Sequence, residues 1–483
     1  MATEKELNIR GKTSFVYKMI EHLGRQGVTF LISIILARLL LPSDYGVIAI
    51  MSIFITFAEV LVHSGFNKAL IQKKHVTDED YSSVFFVSLC FAIILYVLLY
   101  FTAPEIEHFF GFTNFVIPFR IMAISIFLDV YNSVQNAKAQ RDLMFKQLMI
   151  YNNIAAIISG IAGITLAYLN MGIWALVGQY VFMQFLTCIF VRRFINWHPV
   201  RVHNYNGIRP LLSFGWKILL TDIISVLYDN IRGIVIGKKY TNSDLGFYNK
   251  GKNFPVQINN FVYNTVCVVL LPLLSKEQDN REVLVDMGRK IKRISLQVSL
   301  PAFIGMYMIA PELITLLLTD VWSNSVPFVR IACLMYAINQ IYIINLQMIF
   351  AIGNSTVTLF TEVISKIAGI ILLIFAVMYF NTSYYIAISE FLAMLPVVLI
   401  NAYYVKKLIG YKIREQLMDL IIPLFLTIIV VFSCIIIEMF SFNTIYMFFF
   451  KLIVSILLYS IMVFLLKTEL YLMVTNIFFK RKV

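Results

Sequence analysis

The stretch YSSVFFVSLCFAIILYVLLYFTA, at residues 81–103, contains no charged side chain. The hydrocarbon of a bilayer cannot hydrogen-bond to a peptide backbone, so an apolar stretch of about 20 residues predicts a membrane-spanning helix. Lys73 and Lys74 precede this stretch, and Glu105 and Glu107 follow it. Because basic residues accumulate in cytoplasmic loops, the sequence predicts a helix that begins on the cytoplasmic side and ends outside.

Similar apolar stretches fill the rest of the chain. Of the 483 residues, 60% are hydrophobic and only 14% are charged, which is more apolar surface than a water-soluble domain could bury. The fold class is therefore predicted to be an all-α integral membrane protein. We predict fourteen transmembrane helices, near residues 14–36, 46–66, 81–103, 115–137, 147–168, 172–193, 210–237, 246–273, 288–310, 326–350, 356–379, 383–404, 419–440 and 444–466.

Lys and Arg residues fall almost entirely in alternate loops. The N-terminus, the even-numbered loops and the tail together hold 27 of them, and the other loops hold only Arg38, Lys238 and Lys239. One missed span would invert this pattern, so the pattern supports the helix count and predicts that both termini are cytoplasmic. The net charge of +13 is therefore a topology signal that requires no nucleic acid as a partner.

Short motifs repeat between the two halves of the chain. Ser43–Gly46 opens span two and Ser243–Gly246 opens span eight, while Ala103–Ile106 ends span three and Ala310–Leu313 ends span nine. Spans one to six and seven to twelve are thus predicted to form two six-helix bundles in the same orientation, related by a pseudo-twofold axis along the membrane normal. Such repeats are typical of transporters, in which the ligand site lies between the halves.

The repeat divides the chain into four predicted segments. These are an N-terminal six-helix bundle at 1–193, a cytoplasmic linker at 194–209, a C-terminal six-helix bundle at 210–404, and helices thirteen and fourteen with a basic cytoplasmic tail at 405–483. The polar N-terminus lacks the pattern of a cleavable signal peptide. We therefore expect a multi-pass protein that keeps its first segment.

The sequence carries no recognisable catalytic or metal-binding motif. Gly11, Lys12 and Thr13 resemble the end of a phosphate-binding loop, but Glu6 occupies the position of that motif's first glycine. The histidines are not at metal-ligand spacings, and no outward loop is long enough to form an extracytoplasmic catalytic domain. We therefore expect no enzyme activity, no metal and no organic cofactor.

The ionisable residues inside the spans carry the functional information. Each costs about 2.5–3.5 kcal/mol to insert, so such residues usually face a cavity or a partner. Two stripes each lie on one helical face: Lys18, His22, Arg25 and Thr29 in span one, and Asp222, Ser225, Asp229 and Arg232 in span seven. These stripes predict a wet cavity between the two bundles.

Basic and amide side chains would line that cavity. Basic groups bind phosphate or pyrophosphate through charge-assisted hydrogen bonds, and amides suit the hydroxyls of sugars. The predicted substrate-binding residues are Lys18, Arg25, Lys250, Lys252, Asn253, Gln257, Asn260 and Asn132. The predicted gating or ion-coupling residues are Glu21, Glu59, Asp129, Asp222, Asp229 and Arg232.

Each of these residues also has a structural interpretation. Glu21 and Arg25 are spaced so that they can pair with each other along one helix. Lys250 and Lys252 lie near an end of span eight, from which long side chains reach the membrane interface. Amides between membrane helices often serve in packing. The residues taken together therefore indicate a cavity more strongly than any one of them does.

Several longer stretches resemble a known family. The stretches are ARLLLPSDYG at residues 37–46, LGFYNKGKNFP at 245–255, LPLLSK at 271–276, and the pair Gln278 and Asp279. Together they are similar to the Wzx-type oligosaccharide flippases, polysaccharide transporters of the multidrug/oligosaccharidyl-lipid/polysaccharide (MOP) superfamily. The resemblance extends from near the N-terminus to span twelve, and it departs from the family at Leu271, where an aromatic residue is common.

This resemblance implies a fourteen-helix fold with a V-shaped central cavity. It implies that the protein moves undecaprenyl-pyrophosphate-linked oligosaccharide repeat units from the cytoplasmic to the outer leaflet by alternating access, for O-antigen, capsule or exopolysaccharide. An H⁺ or Na⁺ gradient, or the membrane potential, would drive the cycle. Relatives use basic residues of helices one and eight, which correspond here, by helix position, to Lys18, Arg25, Lys250 and Lys252.

The resemblance also implies a cellular setting. We expect a monomer in the bacterial cytoplasmic (inner) membrane, acting on a lipid-linked oligosaccharide among membrane lipids, with a polysaccharide polymerase and co-polymerase as partners. Two alternatives belong to the same superfamily, a lipid II flippase and a drug/cation antiporter, and an antiporter would favour an acidic or aromatic cavity. A membrane glycan polymerase, which would need a large outward loop, and a non-transport scaffold are the alternatives from other classes.

The predicted topology places positions 44 and 244 outside the cell, at equivalent places in the two halves. Asp44→Cys and Asp244→Cys, each made in a background without the native cysteines, should both react with a membrane-impermeant thiol reagent added to intact cells. Labelling of only one of the two would contradict both the repeat and the helix count.

Overall fold

The computed structural model describes residues 24–63, 65–195, 197–202 and 208–479, and the long elements within them are all α-helices. The helices are α1 (24–39), α2 (Pro42–His63), α3 (Phe66–Gln72), α4 (Asp78–Phe110), α5 (Val116–Ala123), α6 (Ser125–Arg141), α7 (Phe145–Tyr168), α8 (Ile173–Phe194), α9 (Ile208–Lys239), α10 (Asn242–Lys276), α11 (Arg281–Leu317), α12 (Val326–Ala351), α13 (Ser355–Tyr379), α14 (Ser383–Ile409), α15 (Ile413–Glu438), α16 (Thr444–Leu465) and α17 (Glu469–Phe479). A short 3-10 helix, Asp320–Ser325, precedes α12. The prediction of an all-α protein is confirmed.

Eleven segments of the described chain are long and apolar enough to cross a membrane. They are Pro42–His63, Asp78–Phe110, Val116–Arg141, Phe145–Tyr168, Ile173–Phe194, Arg281–Leu317, Asp320–Ala351, Thr356–Tyr379, Ser383–Ile409, Ile413–Glu438 and Thr444–Leu465. They coincide with predicted spans two to six and nine to fourteen. α9 and α10 have the length of spans seven and eight, at 32 and 35 residues, but they carry more polar side chains. α1 covers the described part of span one, and the total of fourteen spans stays a prediction.

The outer surface of the apolar helices is itself apolar. α13 exposes Leu359, Ile367, Ile371 and Met378 along one side. Exposing such a stripe to water would be unfavourable, because removing apolar surface from water is worth about 25 cal/mol per Å². Lipid tails impose no such cost, so this side of α13 is suited to face the bilayer.

The chain divides into two compact units, Met1–Gly246 (unit 1) and Phe247–Val483 (unit 2). Each unit has its own buried core, around Trp197 in unit 1 and around Tyr411 in unit 2. The division falls just after the start of α10, whereas the sequence placed a linker at 194–209. α9 packs against α2, α3 and α4 and is therefore part of unit 1. The four-segment division of the sequence stays a prediction.

One contact between an arginine and a tyrosine recurs in the two units. In unit 1, Nε of Arg120 donates to the backbone carbonyl of Tyr100 at 3.0 Å, and the guanidinium lies 3.9 Å from the centre of that ring. In unit 2, Nε of Arg330 donates to the carbonyl of Tyr307 at 3.4 Å, with the guanidinium 5.2 Å from the ring. Tyr100 and Tyr307 are separated by the same 207 positions as the Ala-Pro-Glu motifs. The shared contact supports the predicted duplication, and the symmetry axis stays a prediction.

Polar contacts tie three helices of unit 2 together at its predicted cytoplasmic end. Arg289 donates two hydrogen bonds to Asp419, at 2.9 and 3.1 Å, and the hydroxyl of Tyr411 donates to the same carboxylate at 2.5 Å. Arg293 pairs with Asp419 at 3.3 Å and with Glu469 at 2.5 Å. Burial, followed by the hydrogen bond to Asp419, raises the pKa of Tyr411. Arg289 and Arg293 are among the basic residues on which the predicted topology rests. They therefore also join α11 to α15 and α17.

The repeated Ser-Asp-x-Gly motif begins α2 and α10 in the same way. The carboxylate of Asp44 accepts a hydrogen bond from the backbone N–H of Leu41 at 3.1 Å. The carboxylate of Asp244 accepts one from the N–H of Thr241 at 3.1 Å and a second from the Thr241 hydroxyl at 2.6 Å. A helix start leaves N–H groups without intrahelical partners, and an acidic residue in the first turn satisfies one of them.

Gly46 and Gly246, the glycines of the two motifs, lie where the start of α2 contacts the start of α10, within unit 1. A Cβ added at Gly46 would overlap the backbone carbonyl of Asn242, and a Cβ added at Gly246 would overlap that of Pro42. Glycine is therefore required at both positions, because it alone lets the two backbones approach so closely. The two copies of the motif thus make reciprocal contacts.

Substitution of Gly46 should destabilise unit 1. In Gly46→Ala the new methyl group meets a backbone carbonyl that cannot rotate away, so we expect a loss of at least about 1–3 kcal/mol, as for overpacked cores. The measurement is the apparent melting temperature in detergent.

Gly27→Ala is the matched control, because a Cβ at Gly27 meets no atom within 4 Å. It should leave the melting temperature unchanged or slightly raised. Equal effects of the two substitutions would contradict the close crossing.

Candidate functional site

Four side chains on α2, α6 and α8 form an acidic cluster in unit 1, namely Glu59, His63, Asp129 and Tyr180. Glu59 and His63 are one helical turn apart on α2 and therefore share a face. Nε2 of His63 lies 2.7 Å from Oδ2 of Asp129, and the hydroxyl of Tyr180 donates to Oε1 of Glu59 at 2.8 Å. Two predicted ion-coupling residues, Glu59 and Asp129, thus lie in one network with a titratable histidine.

Amide side chains extend the acidic cluster. Asn132, which is 2% exposed, donates to the backbone carbonyl of Gln184 at 3.1 Å, and the Gln184 side chain hydrogen-bonds Tyr180. Among the described residues, Oδ1 of Asn132 and Nδ1 of His63 are buried without a hydrogen-bond partner. The described part of the chain contains no group of three His, Cys, Asp or Glu side chains suited to a metal ion.

The predicted stripe on span one is only partly described. Lys18 and Glu21 lie outside the described residues. Arg25 lies near the start of the described part of α1, and its side chain is exposed. A guanidinium that remains accessible within a predicted span is suited to bind an anionic ligand bidentately.

The predicted stripe on span seven lies on α9. Asp222 is half-buried and Asp229 is exposed. Arg232 is 1% exposed, and its guanidinium lies 5.1 Å from the ring centre of Tyr228 on the preceding turn. The stripe therefore runs from accessible carboxylates to a fully buried cation, and its residues do not all face one open space.

One face of α10 packs into unit 2. Nζ of Lys252 forms an ion pair with Oε1 of Glu390 on α14 at 2.7 Å, and the hydroxyl of Tyr248 donates to the other oxygen of Glu390 at 3.2 Å. Two turns further along, Oδ1 of Asn259 accepts a hydrogen bond from Gln340 of α12 at 2.9 Å. Lys252, a predicted substrate ligand, is thus held by a carboxylate of its own unit.

The other predicted polar residues of α10 lie in different surroundings. Asn253, Gln257 and Asn260 are half-buried, and Gln257 donates to the side chain of Asn253 at 3.2 Å. Lys250 is 4% exposed. The three amides form a partly accessible row that could meet sugar hydroxyls, whereas the Lys250 ammonium is enclosed by protein.

Unit 2 also contains an apolar groove. A cavity of about 480 Å³ lies against α11, α15 and α16, with Val298, Met306 and Ile309 on one wall and Leu452 and Ile456 on the other. That volume is in the range of small-molecule sites, about 300–1,000 Å³. Along α11 the groove extends from Val298 to Ile309, a rise of eleven residue steps or about 16 Å at 1.5 Å per residue. Its shape and lining suit a hydrocarbon chain.

An ion triad with a buried ammonium and a half-exposed carboxylate, that of Glu438, borders the groove. Nζ of Lys451 lies 2.6 Å from Glu312 of α11 and 2.6 Å from Glu438 of α15, and the Lys451 side chain is 1% exposed. Lys451 is also part of the groove wall. Because a buried ammonium must be paired, the triad fixes α16 against α11 and α15.

Several residues of these clusters were missed at the level of sequence. Lys451 and Glu390 are ionisable residues inside predicted spans, so the rule that selected Glu59 would also have selected them. The spacing of His63 one turn after Glu59 was a further available signal. No sequence signal marked Tyr180, because tyrosine is common in apolar helices and only the fold brings this residue close to α2.

The chain matches a family described as polysaccharide biosynthesis protein over residues 35–327. Teichuronic acid biosynthesis protein TuaB of Bacillus subtilis (strain 168) is 23% identical over 322 residues, which cover 66% of this chain and 65% of that protein. Succinoglycan biosynthesis transport protein ExoT of Rhizobium meliloti (strain 1021) is 22% identical over 318 residues, covering 66% and 64%. The chain thus spans about 65% of the length of the curated relatives it matches.

Two solved structures have a similar fold. The lipid II flippase MurJ, in an inward closed conformation, superposes with a TM-score of 0.72 at 16% identity, covering 94% of this chain and 100% of that chain. An inward-facing multidrug resistance MATE family transporter of the MOP superfamily gives a TM-score of 0.61 at 14% identity, covering 81% and 98%. At these identities the likeness is one of fold.

The pairing of Lys252 with Glu390 can be tested by mutation. Lys252→Met should destabilise the protein by about 3 kcal/mol, because it leaves the Glu390 carboxylate inside unit 2 without its cation. The double variant Lys252→Met/Glu390→Met should recover most of that loss. Both are measured as melting temperatures in detergent. A single variant as stable as the wild type would contradict the structural pair and return Lys252 to the role of a substrate ligand.

Proposed function

The chain belongs to the polysaccharide biosynthesis protein family, as its sequence resemblance indicates, and from this premise we propose that it is a flippase for lipid-linked oligosaccharides of the MOP superfamily. The observation that carries the proposal is the family match over residues 35–327. The similarity to a protein named as a succinoglycan biosynthesis transport protein supports transport over enzymatic conversion. We therefore propose that the chain moves its substrate without chemical change.

The proposed substrate is an undecaprenyl-pyrophosphate-linked repeat unit of a surface polysaccharide. Its pyrophosphate would be held by basic groups of span one, of which Arg25 is exposed. The half-buried amides of α10, Asn253, Gln257 and Asn260, offer hydrogen bonds to sugar hydroxyls. The apolar groove of unit 2 offers a site for part of the prenyl chain. The described residues thus offer groups whose chemistry matches that of the head, the sugar and the tail, each considered within its own unit.

The proposed architecture contains the eleven segments that are long and apolar enough to cross a membrane, together with three further spans. We add α1, α9 and α10 as spans one, seven and eight, which gives fourteen spans in two six-helix bundles and two further helices. The charge asymmetry of the loops then puts both termini in the cytoplasm of a bacterial inner-membrane protein. We propose alternating access between the bundles, driven by an ion gradient or the membrane potential. A monomer that delivers its product to a polymerase and co-polymerase is sufficient for this cycle.

Deletion of the gene in its host provides the test. We expect surface polysaccharide to be lost and lipid-linked repeat units to accumulate on the cytoplasmic face, because synthesis continues without export. Arg25→Ala should reproduce this loss at normal protein abundance, since it removes the proposed pyrophosphate ligand. The readouts are surface glycan, lipid-linked intermediates and an immunoblot.

Lys74→Ala is the matched control, because Lys74 is another exposed basic residue, outside any span. It should leave surface glycan unchanged. A loss of protein in Arg25→Ala equal to the loss of glycan would indicate a structural role for Arg25. Normal polysaccharide in the deletion strain, with altered resistance to cationic drugs, would favour the antiporter alternative and overturn the proposal.

A further inference from the structure

Arg120 of α5 and Arg330 of α12 use only part of their hydrogen-bonding capacity within the protein. In each, Nε donates to the backbone carbonyl of a tyrosine, Tyr100 or Tyr307, and the guanidinium lies over the ring of that tyrosine. The terminal nitrogens, Nη1 and Nη2, have no hydrogen-bond or ion-pair partner among the described residues. Neither arginine has a nitrogen that is both buried and without a partner, so these nitrogens are accessible. Both guanidinium groups therefore keep N–H donors for a further ligand.

Both arginines lie at the same distance from the start of their helices. Arg120 is four residues after Val116, the first residue of α5, and Arg330 is four residues after Val326, the first residue of α12. Four residues correspond to about 6 Å at 1.5 Å per residue. In the predicted topology both helices begin on the outer side of the membrane. Both guanidinium groups are therefore expected just below the outer headgroup layer, which long side chains can reach.

The described surface around Arg120 is suited to face lipid. Ile117 and Ile124, three residues before Arg120 and four after it, share its helical face and are 64% and 43% exposed. Phe101, next to Tyr100, is 71% exposed. A cation at this depth is stabilised by an anion or by water. Among apolar side chains that face lipid, the available anion is a lipid headgroup.

The acidic side chains at the outer ends of α4 and α11 are engaged elsewhere or exposed. In unit 1 the carboxylate of Glu107 accepts hydrogen bonds from two backbone N–H groups at the start of α5, at 2.7 and 3.0 Å. Glu105 is exposed. In unit 2 Glu312, at the position equivalent to Glu105, is paired with Lys451 at 2.6 Å. No carboxylate of the described residues therefore neutralises either arginine.

The same arrangement recurs in the two units although the connection between the two helices differs. The arginine follows its tyrosine by 20 residues in unit 1 and by 23 in unit 2, where the short helix Asp320–Ser325 precedes α12. The repeat therefore preserves the oriented guanidinium and not a fixed spacing in sequence. Contact with the tyrosine ring and carbonyl holds the planar fork of the arginine in one orientation, and this fork matches two oxygens of a phosphate.

We infer that Arg120 and Arg330 form two lipid-phosphate sites at the outer leaflet, one in each unit. In each site Nη1 and Nη2 donate to two oxygens of one phosphate, while Nε remains bonded to the tyrosine carbonyl. The ligand is a phosphate carried by a lipid. The phosphodiester of a phospholipid is the favoured source, because the described surface around Arg120 is apolar. The inference does not depend on the proposed flippase function.

Solid-state NMR tests both sites in the purified full-length protein, labelled with nitrogen-15 arginine and reconstituted in liposomes of phosphatidylglycerol and phosphatidylethanolamine. Arg120→Lys and Arg330→Lys each remove the Nη signals of one arginine and thereby assign them. Arg120→Gln and Arg330→Gln provide the same assignment where a lysine variant does not fold. Both assigned sets should lose intensity in the wild type through dipolar dephasing by phosphorus-31.

Arg232 is the matched control, because it also lies over a tyrosine ring but is 1% exposed. Its signals, assigned with Arg232→Lys, should keep their full intensity. Full intensity at Arg120 and Arg330 as well, or dephasing equal to theirs at Arg232, would overturn the inference.

A change of lipid distinguishes the possible sources of the phosphate. In liposomes of a phosphate-free glycolipid both assigned sets should keep full intensity, and added inorganic phosphate should not restore the dephasing. Dephasing restored by inorganic phosphate would overturn the assignment to a lipid. Dephasing that requires added undecaprenyl pyrophosphate, and is absent with phospholipid alone, would overturn the assignment to phospholipid and give the sites to the prenyl pyrophosphate.

Discussion

Hydrocarbon offers no hydrogen bonds, and this constraint decides where the polar side chains of the described helices lie. A charged group inside a span must face either a partner or a water-filled cavity. Lys451 therefore lies between two glutamates at 2.6 Å, and Lys252 lies 2.7 Å from Glu390. These contacts join α16 to α11 and α15, and α10 to α14, within unit 2.

The same constraint acts on both copies of the repeated framework. Equivalent features recur in the two units, including the Arg–Tyr contact and the capped helix starts. The polar side chains inside the two units can differ in chemistry, provided that each one keeps a hydrogen-bond or ion-pair partner. At the offsets of the repeated motifs, Glu59, His63 and Asp129 of unit 1 correspond to Asn259, Tyr263 and Tyr336 of unit 2. The two repeated units therefore differ in the charge of the polar side chains at these equivalent positions.

Much of the fold was predictable from sequence, because the bilayer constrains the length and hydropathy of each spanning helix and the charge of each loop. The all-α class and eleven spans agree with the structure, and the resemblance to polysaccharide transporters is confirmed by the family match. The site was predictable only in part. Glu59 and Asp129 were selected as charges within spans, but Tyr180 and Glu390 join their clusters through packing between helices that are distant in sequence. The pairing of Lys252 with Glu390 could not be predicted for the same reason.

The central claim is that this chain alone carries a lipid-linked sugar across a bilayer. The most direct measurement uses purified full-length protein in liposomes that contain fluorescent undecaprenyl-pyrophosphate N-acetylglucosamine, with a membrane-impermeant quencher added outside. Without protein, only the probe in the outer leaflet should be quenched. With protein, the account predicts that the inner-leaflet probe also becomes accessible, and that Arg25→Ala prevents this at equal incorporation. An inner-leaflet pool that stays protected in the presence of the wild-type protein would contradict the account.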